Sequence, residues 1–320
     1  MRSFQTQDSF SLSSVKPLDG LLPYRDHCLE ATRRALQGRK RVRTACPVCG
    51  ERLAPAGNVG ELPYVRCPQD GSLFLAELPD REAWSRLLAE VRQFRNSSAS
   101  FHAQITQSRA DHVYGPKLEW IQDTLRLQEL AHPTLLEVGS SSDDFSRLLR
   151  ESGLFLQIQS IGESEIGQGT EQAQVAVLLE SLDRTDDPAG LLKRVSDRLA
   201  PGGLLFVTAL LSSGFDFSVL GTRNLYLYPP DRANCFSRDG LSKLLEQSGF
   251  ILQEVSTPGV LDLQVVRAHA QRDAALPLSV FEKTLVSSDL ETQRAFQEFL
   301  QQRGLSSFAR LVAKKGDGTA

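Results

Sequence analysis

No apolar run in these 320 residues approaches the roughly 18 to 20 that carry a helix across a bilayer; the longest, such as Gly203 to Leu211, fall well short. Met1 to Phe10 is polar and holds no apolar leader core, so a cytoplasmic protein is expected. Five cysteines, three of them within 22 residues, do not form the framework of a disulfide-stapled secreted domain. The five histidines (His27, His102, His112, His132 and His269) are scattered without metal spacing. There is no P-loop, no G-x-S-x-G elbow and no H-E-x-x-H, which removes the usual signatures of nucleotide hydrolysis, hydrolase triads and zinc proteolysis. What is present is ordinary globular material. Hydrophobic residues make up 41%, enough for a sizeable core, and the length suggests about two domains, one of them small.

The net charge of −3 hides an uneven distribution, because residues 1–50 hold nine bases and four acids. Arg33, Arg34, Arg39, Lys40, Arg41 and Arg43 stand together; such a run attracts acidic partners, or is the solvated end of a helix. Four segments follow from composition. Residues 1–44 read as a loosely held N-terminal arm with one short helix near Arg25 to Leu36. Residues 45–78 mix Cys, Pro and Gly with short β-favouring runs, Tyr64 to Arg66 and Leu73 to Leu75, as in a hairpin module. Residues 79–131 are largely helical, with Asp80 a candidate N-cap and Gly115-Pro116 a break.

Residues 132–315 alternate strand and helix. Strands are expected at Thr134 to Gly139, Phe155 to Ile161, Val175 to Leu179, Leu204 to Leu210 and Phe250 to Val255, with helices at Phe145 to Leu149, Pro188 to Leu199 and Arg238 to Gln247. This alternation predicts an α/β fold with a doubly wound, Rossmann-like sheet. A helical insert at about 267–305, with helices near Leu276 to Val286 and Leu290 to Gln302, separates the last two strands. The final strand, near Phe308 to Ala313, returns antiparallel.

Cys46-Pro47-Val48-Cys49-Gly50 and Cys67-Pro68-Gln69-Asp70-Gly71 are two copies of one knuckle. Each turn brings two side chains to one side, so a pair can build a tetrahedral site, and the arrangement resembles a zinc ribbon. Cys46, Cys49, Cys67 and Asp70 are the expected ligands of a structural zinc. Asp70 stands where a fourth thiolate is usual, with Cys28 a substitute if the arm folds back.

The chain from about Cys46 to Lys315 resembles the class I S-adenosylmethionine-dependent methyltransferases with an N-terminal zinc ribbon, as a degenerate member. Five places carry the likeness: the paired knuckles; Leu135-Leu136-Glu137-Val138-Gly139 with Asp143-Asp144-Phe145; Leu179-Glu180-Ser181-Leu182-Asp183 with Asp187-Pro188; Leu199-Ala200-Pro201-Gly202-Gly203-Leu204-Leu205; and Phe236-Ser237 through Leu241 to Gly249-Phe250. The resemblance implies S-adenosylmethionine binding by Glu137, Gly139, Ser141, Asp143, Glu163 and Glu180.

Several departures bear on activity. The family's G-x-G-x-G turn reads Gly139-Ser140-Ser141-Ser142-Asp143, and each added Cβ crowds the ligand. Only 11 residues separate Glu163 from Val175, whereas the family's extra helix and strand need about 25 at ordinary element lengths, so that unit is expected to be deleted. Two family histidines are replaced by Arg184 and Arg232, which have no acceptor and cannot serve as general bases. Tyr226 and Tyr228 follow the strand bearing Leu204 to Leu210, where family members place substrate contacts. Two function classes therefore stand side by side: a methyltransferase acting on a small molecule, or an inactive methyltransferase fold kept as a binding or scaffold protein. The partner is a small-molecule substrate or a protein; nucleic acid is not expected.

Overall fold

A computed structural model of the chain describes residues 10–97, 105–139 and 143–316. Two helices, α1 (Leu12–Val15) and α2 (Leu18–Ala35), lead to β1 (Lys40–Val42), β2 (Ala54–Val59), β3 (Leu62–Arg66), β4 (Leu73–Leu75), β5 (Glu77–Pro79) and helix α3 (Arg81–Asn96). Asp80 caps α3, its carboxylate accepting from the Ala83 N–H at 2.8 Å. The arm expected to hang loosely is packed down. Leu21, Tyr24, Cys28 and Leu29 recur at helical spacing and are all buried, in one cluster with Leu73, Trp84, Leu210 and Val265. Most of the basic run is spent on ion pairs: Arg34 with Glu90 at 2.6 Å, Lys40 with Glu77 at 2.8 Å and Arg41 with Asp186 at 2.6 Å.

The expected break at Gly115-Pro116 is no break. Helix α4 (Thr106–Arg109), a π turn (Ala110–Tyr114) and α5 (Gly115–Leu127) run on, with Pro116 where a missing N–H costs least. The sheet region then reads β6 (Thr134–Val138), α6 (Asp143–Glu151), β7 (Gln157–Ile161), β8 (Ala173–Leu179), α7 (Pro188–Arg198), β9 (Leu199–Leu210), α8 (Phe215–Leu220), β10 (Asn234–Cys235), α9 (Arg238–Gln247) and β11 (Phe250–Ser256). Helices α10 (Asp262–Arg272), α11 (Val280–Ser287) and α12 (Leu290–Gln302) precede β12 (Phe308–Lys315). The first of these three was not expected. The second starts later than expected, because Pro277 cannot extend a helix and Ser279 with Glu282 forms a capping box. On the second and third of these helices, Leu285 and Leu300 are buried while Phe281 is exposed.

Six strands form one mixed sheet in the order β11-β12-β9-β8-β6-β7, with β12 antiparallel to both neighbours. Strand periodicity sorts the side chains. Leu136, Ala176, Leu178, Leu205 and Val207 face the layer holding α7 and α9, and Leu135, Val175, Val177, Leu204 and Phe206 face the layer holding α5 and α6. The Pro-Gly-Gly corner entering β9 admits only glycine at position 203, where a Cβ would lie 2.9 Å from the Ala200 carbonyl and 3.1 Å from that of Gln174. The knuckle segment is welded to this layer, since β4 pairs with β10 and Cys46, Val48, Cys67 and Phe74 share a core with Phe236 and Leu241.

Between β7 and β8 lie only residues 162–172, with a single 3-10 turn, Ile166–Gln168, and no helix. Both strands pair with β6, so this short connection must cross it. Arg198, 5% exposed, pins the crossing: its guanidinium donates to the carbonyls of Glu171 at 2.8 Å and Ile166 at 3.0 Å and to Gln159 Oε1 at 2.7 Å. Gly169 leaves room for it, because a Cβ there would sit 2.5 Å from the guanidinium. Hydrogen bonds to a charged group contribute about 1.5–3 kcal/mol each, part of it recovered by water. Arg198→Ala is expected to lower the unfolding free energy in urea by about 3 kcal/mol, and Arg198→Lys to restore less than half, since an ammonium lacks the planar fork.

Candidate functional site

Strands β6 and β7 end at a cleft of about 530 Å³. Gly139, at φ +63°, turns the chain out of β6 and donates its N–H to the Ile161 carbonyl at 2.9 Å. A Cβ on Gly139 would lie 3.3 Å from Glu163 Cγ and Oε1, so the glycine is what allows the Glu163 carboxylate to lie against the turn. Burial pushes the Glu163 carboxyl above the usual carboxylate range. The opposite wall comes from α3, with Trp84, Leu88 and Val91. Their helical spacing gave the helix, but nothing in it revealed the cleft. Trp84 Nε1 donates to the Arg184 carbonyl at 3.1 Å, and Arg184 Nη2 donates to the Gly139 carbonyl at 3.2 Å. Arg184 is 8% exposed, and its Nη1 is buried without a hydrogen-bond partner among the described residues.

The other residues expected at a cofactor lie elsewhere. Glu137 is buried beneath the cleft, accepting from Ser146 Oγ and Ser160 Oγ, each at 2.7 Å, so it ties β6 to α6 and β7. Asp143 accepts from Arg92 at 2.8 Å and from Asn96 at 2.9 Å, which fastens the end of α3 to the start of α6. Ser141 lies outside the described residues. Glu180 faces a second, more enclosed chamber.

That chamber, about 160 Å³, is lined by Glu180, Arg232, Tyr226, Tyr228 and residues of α1, α5 and α10. Glu180 ends β8 at φ +59°, a conformation that costs about 1–3 kcal/mol in a non-glycine residue, and meets Arg232 at 2.7 Å and Lys117 at 3.4 Å. Burial works against its charge, yet Arg232 and Lys117 hold the Glu180 carboxyl well below the usual range. Arg232 also lies 3.4 Å from Asp183 and keeps 14% of its side chain exposed, while Arg184 is buried, so neither arginine stands at the open surface. An ion pair of Arg95 with Asp231, joined by the Tyr24 hydroxyl at 3.1 Å from the carboxylate, stands between the cleft and the chamber and lines both.

Residues 110–255, which carry the β6 turn, Glu163, Glu180 and Arg232, match the family model for a methyltransferase domain. The chain is methyltransferase-like. Among curated proteins, the ubiquinone biosynthesis O-methyltransferase of Aeromonas salmonicida (strain A449) is 25% identical over 134 residues, or 39% of this chain, and the chain spans 56% of that relative's length. Two solved structures align with much of the chain at low identity. The 1,6-didemethyltoxoflavin-N1-methyltransferase of Burkholderia thailandensis aligns with 82% of this chain and 99% of its own, at 11% identity and a TM-score of 0.43. An O-methyltransferase family protein of Burkholderia thailandensis aligns with 71% and 63%, at 8% identity and a TM-score of 0.41. No helix among the described residues is long and apolar enough to cross a membrane.

Beside the methyltransferase-like sheet, one ligand atom from each of Cys46, Cys49, Cys67 and Asp70 lies within 4.8 Å of the others. The two knuckles superimpose in their bonding: Gly50 N–H donates to the Cys46 carbonyl at 3.0 Å and Gly71 N–H to the Cys67 carbonyl at 2.9 Å. Asp70 Oδ1 accepts from the Ser72 N–H at 2.7 Å, which leaves Oδ2 facing Cys46 Sγ at 4.0 Å. Cys28 is buried in the other core and takes no part. Cys235 is buried as well, and burial pushes its thiol well above the ordinary range, which argues against a nucleophile.

Near the chamber, burial and then the Asp262 carboxylate push the Asp216 carboxyl up to about 7. A raised carboxyl stabilises the fold fully below its unfolded pKa near 4, and that contribution is lost as pH rises through the folded value. Unfolding free energy is therefore expected to fall between pH 4 and 7 by up to about 1.4 kcal/mol per unit from this group. Urea titrations of Asp216→Asn across that window should show a shallower slope than the parent.

Proposed function

We propose that the chain is an S-adenosylmethionine-dependent methyltransferase acting on a small molecule, with the cofactor in the cleft over Gly139 and Glu163 and the substrate in the adjoining chamber. The observation that carries this reading is the Glu163 carboxylate lying against a Cβ-free turn at the ends of two parallel strands, in an open cleft next to a chamber. Gly139 would give the amino-acid end close approach to the backbone, and Glu163 would accept from ribose hydroxyls. The bound cofactor would supply an activated methyl group on a sulfonium leaving group. Glu137 and Asp143 support the turn from behind, by fixing α6 and α3. Trp84, Leu88 and Val91 would give the bound cofactor an apolar wall on one side of the cleft. Rate enhancement would rest on positioning; His112, which lines the chamber, stacks on Phe10 with ring centres 5.0 Å apart.

A second reading, an inactive methyltransferase fold that binds a ligand or protein, has its own support. Arg184 places a guanidinium in the cleft, which repels a sulfonium. Calorimetric titration separates the two. The methyltransferase reading expects S-adenosylmethionine and S-adenosylhomocysteine to bind in the micromolar range, and Glu163→Gln to weaken both by about 10- to 100-fold through loss of charge-assisted hydrogen bonds. Absence of binding up to millimolar ligand, in folded protein, would leave the inactive reading.

The knuckle cluster belongs to the same proposal as a structural zinc site of three thiolates and Asp70, with residues 45–78 as a zinc-ribbon-like module, α10 to α12 as an insert in the sheet domain, and a cytoplasmic setting. Donor types and spread suit a tetrahedral ion, and no ligand position faces the cleft. Metal analysis of purified protein should give one zinc per chain. Asp70→Cys should hold zinc against a chelator longer than the parent, and Cys67→Ser should release it sooner and unfold at lower temperature.

A further inference from the structure

We infer that the enclosed chamber takes a single-ring organic acid, with its carboxylate received by Lys16. Size sets the first limit. An engineered cavity of about 150 Å³ is filled by one benzene ring, and this chamber is about 160 Å³. Val15, Leu21, Val113, Leu210 and Val260 supply apolar walls for such a ring.

Charge sets the second limit. Six Lys and Arg side chains line the chamber against four carboxylates, and each carboxylate is already engaged. Glu180 is held by Arg232 and Lys117, and Asp231 by Arg95. Asp216 accepts from Asn224 Nδ2 and the Phe217 N–H, and Asp262 from Ser306, the Ser307 N–H and Gln297. Lys16, just after α1, is different. Its ammonium lies 4.4 Å from the centre of the Tyr226 ring and has no hydrogen-bond acceptor or carboxylate partner among the described residues. The Tyr226 hydroxyl is likewise buried without a partner among them. A half-buried cation in a cavity wall without a counter-ion is costly, and an entering carboxylate lowers that cost and offers an acceptor to the tyrosine. Burial, then the Arg232 charge, depress Lys16 to about 8, with Glu180 and Asp216 acting upward and Arg109 downward.

That the acid accepts a methyl group rests on the function proposed above; that it binds does not. Benzoate and its neutral isostere benzamide are titrated calorimetrically into the full-length protein, with and without S-adenosylhomocysteine. Benzoate is expected to bind at least about 10-fold more tightly than benzamide, a difference of about 1.4 kcal/mol. Its affinity should decline as pH rises past about 8, where Lys16 loses its proton. Lys16→Met, checked for an unchanged melting temperature, should erase both the preference and the pH dependence. Equal affinity for the two probes in the parent protein, or no benzoate binding at millimolar concentration, would overturn the inference, and so would a preference that survives in folded Lys16→Met. The comparison in the parent stands even where the variant fails to fold. If benzoate is preferred while S-adenosylhomocysteine does not bind, the chamber inference stands and the methyltransferase reading falls; S-adenosylhomocysteine binding without benzoate gives the reverse.

Discussion

Charge buried at the carboxyl ends of β8 and β9 has to be neutralised in place, and much of the chain is arranged to do it. Glu180, Asp183 and Arg232 share one set of contacts, and Arg95, Asp231 and Tyr24 share another. Their partners come from α2, α3, β8 and the segment before β10, which are far apart in sequence. Taking one partner from a buried ion pair leaves the other uncompensated, at about 3–5 kcal/mol. The N-terminal helices are therefore held by electrostatics as well as by the apolar face of α2. They form walls of the chamber and cannot be detached without exposing it.

The shortened crossing from β7 to β8 has a matching consequence. With no helix and strand following β7, that strand is the sheet's edge, and the cleft beside it lacks a wall on that side. Helix α3 stands across the cleft instead, fastened at its start by Arg81 near Asp186 and Asp187 and at its end by Arg92 and Asn96 on Asp143. Arg198 does for the short connection what a crossover helix does elsewhere: it satisfies carbonyl groups that would otherwise be buried unpaired.

The strands and most helices of the sheet region were legible, because buried parallel strands are apolar runs and their covering helices carry an apolar stripe with caps. The missing helix and strand after Glu163 were legible by counting. Helix α10 was not, because two of the four residues in its buried stripe, Asp262, Val265, Val266 and His269, are polar. The arm was misjudged for a different reason. Its polar, Ser-rich start resembles a free tail, while Leu21, Tyr24, Cys28 and Leu29 gain their burial largely from partners distant in sequence, such as Leu73, Trp84, Leu210 and Val265.

Sequence alone determined most element types of the sheet region, the glycine turn after β6, the acid at Glu163 and the paired knuckles, since each is a local pattern of residue size, conformational freedom and spacing. Tertiary structure decided where the acids point. Glu137 became a brace, Asp143 an ion-pair partner of α3 and Glu180 a wall of the chamber. It also set Lys16 opposite Tyr226 without a counter-ion. A carboxylate or ammonium has the same appearance in any stretch of sequence, and its role is fixed by the dielectric and the charges that the folded chain gathers around it.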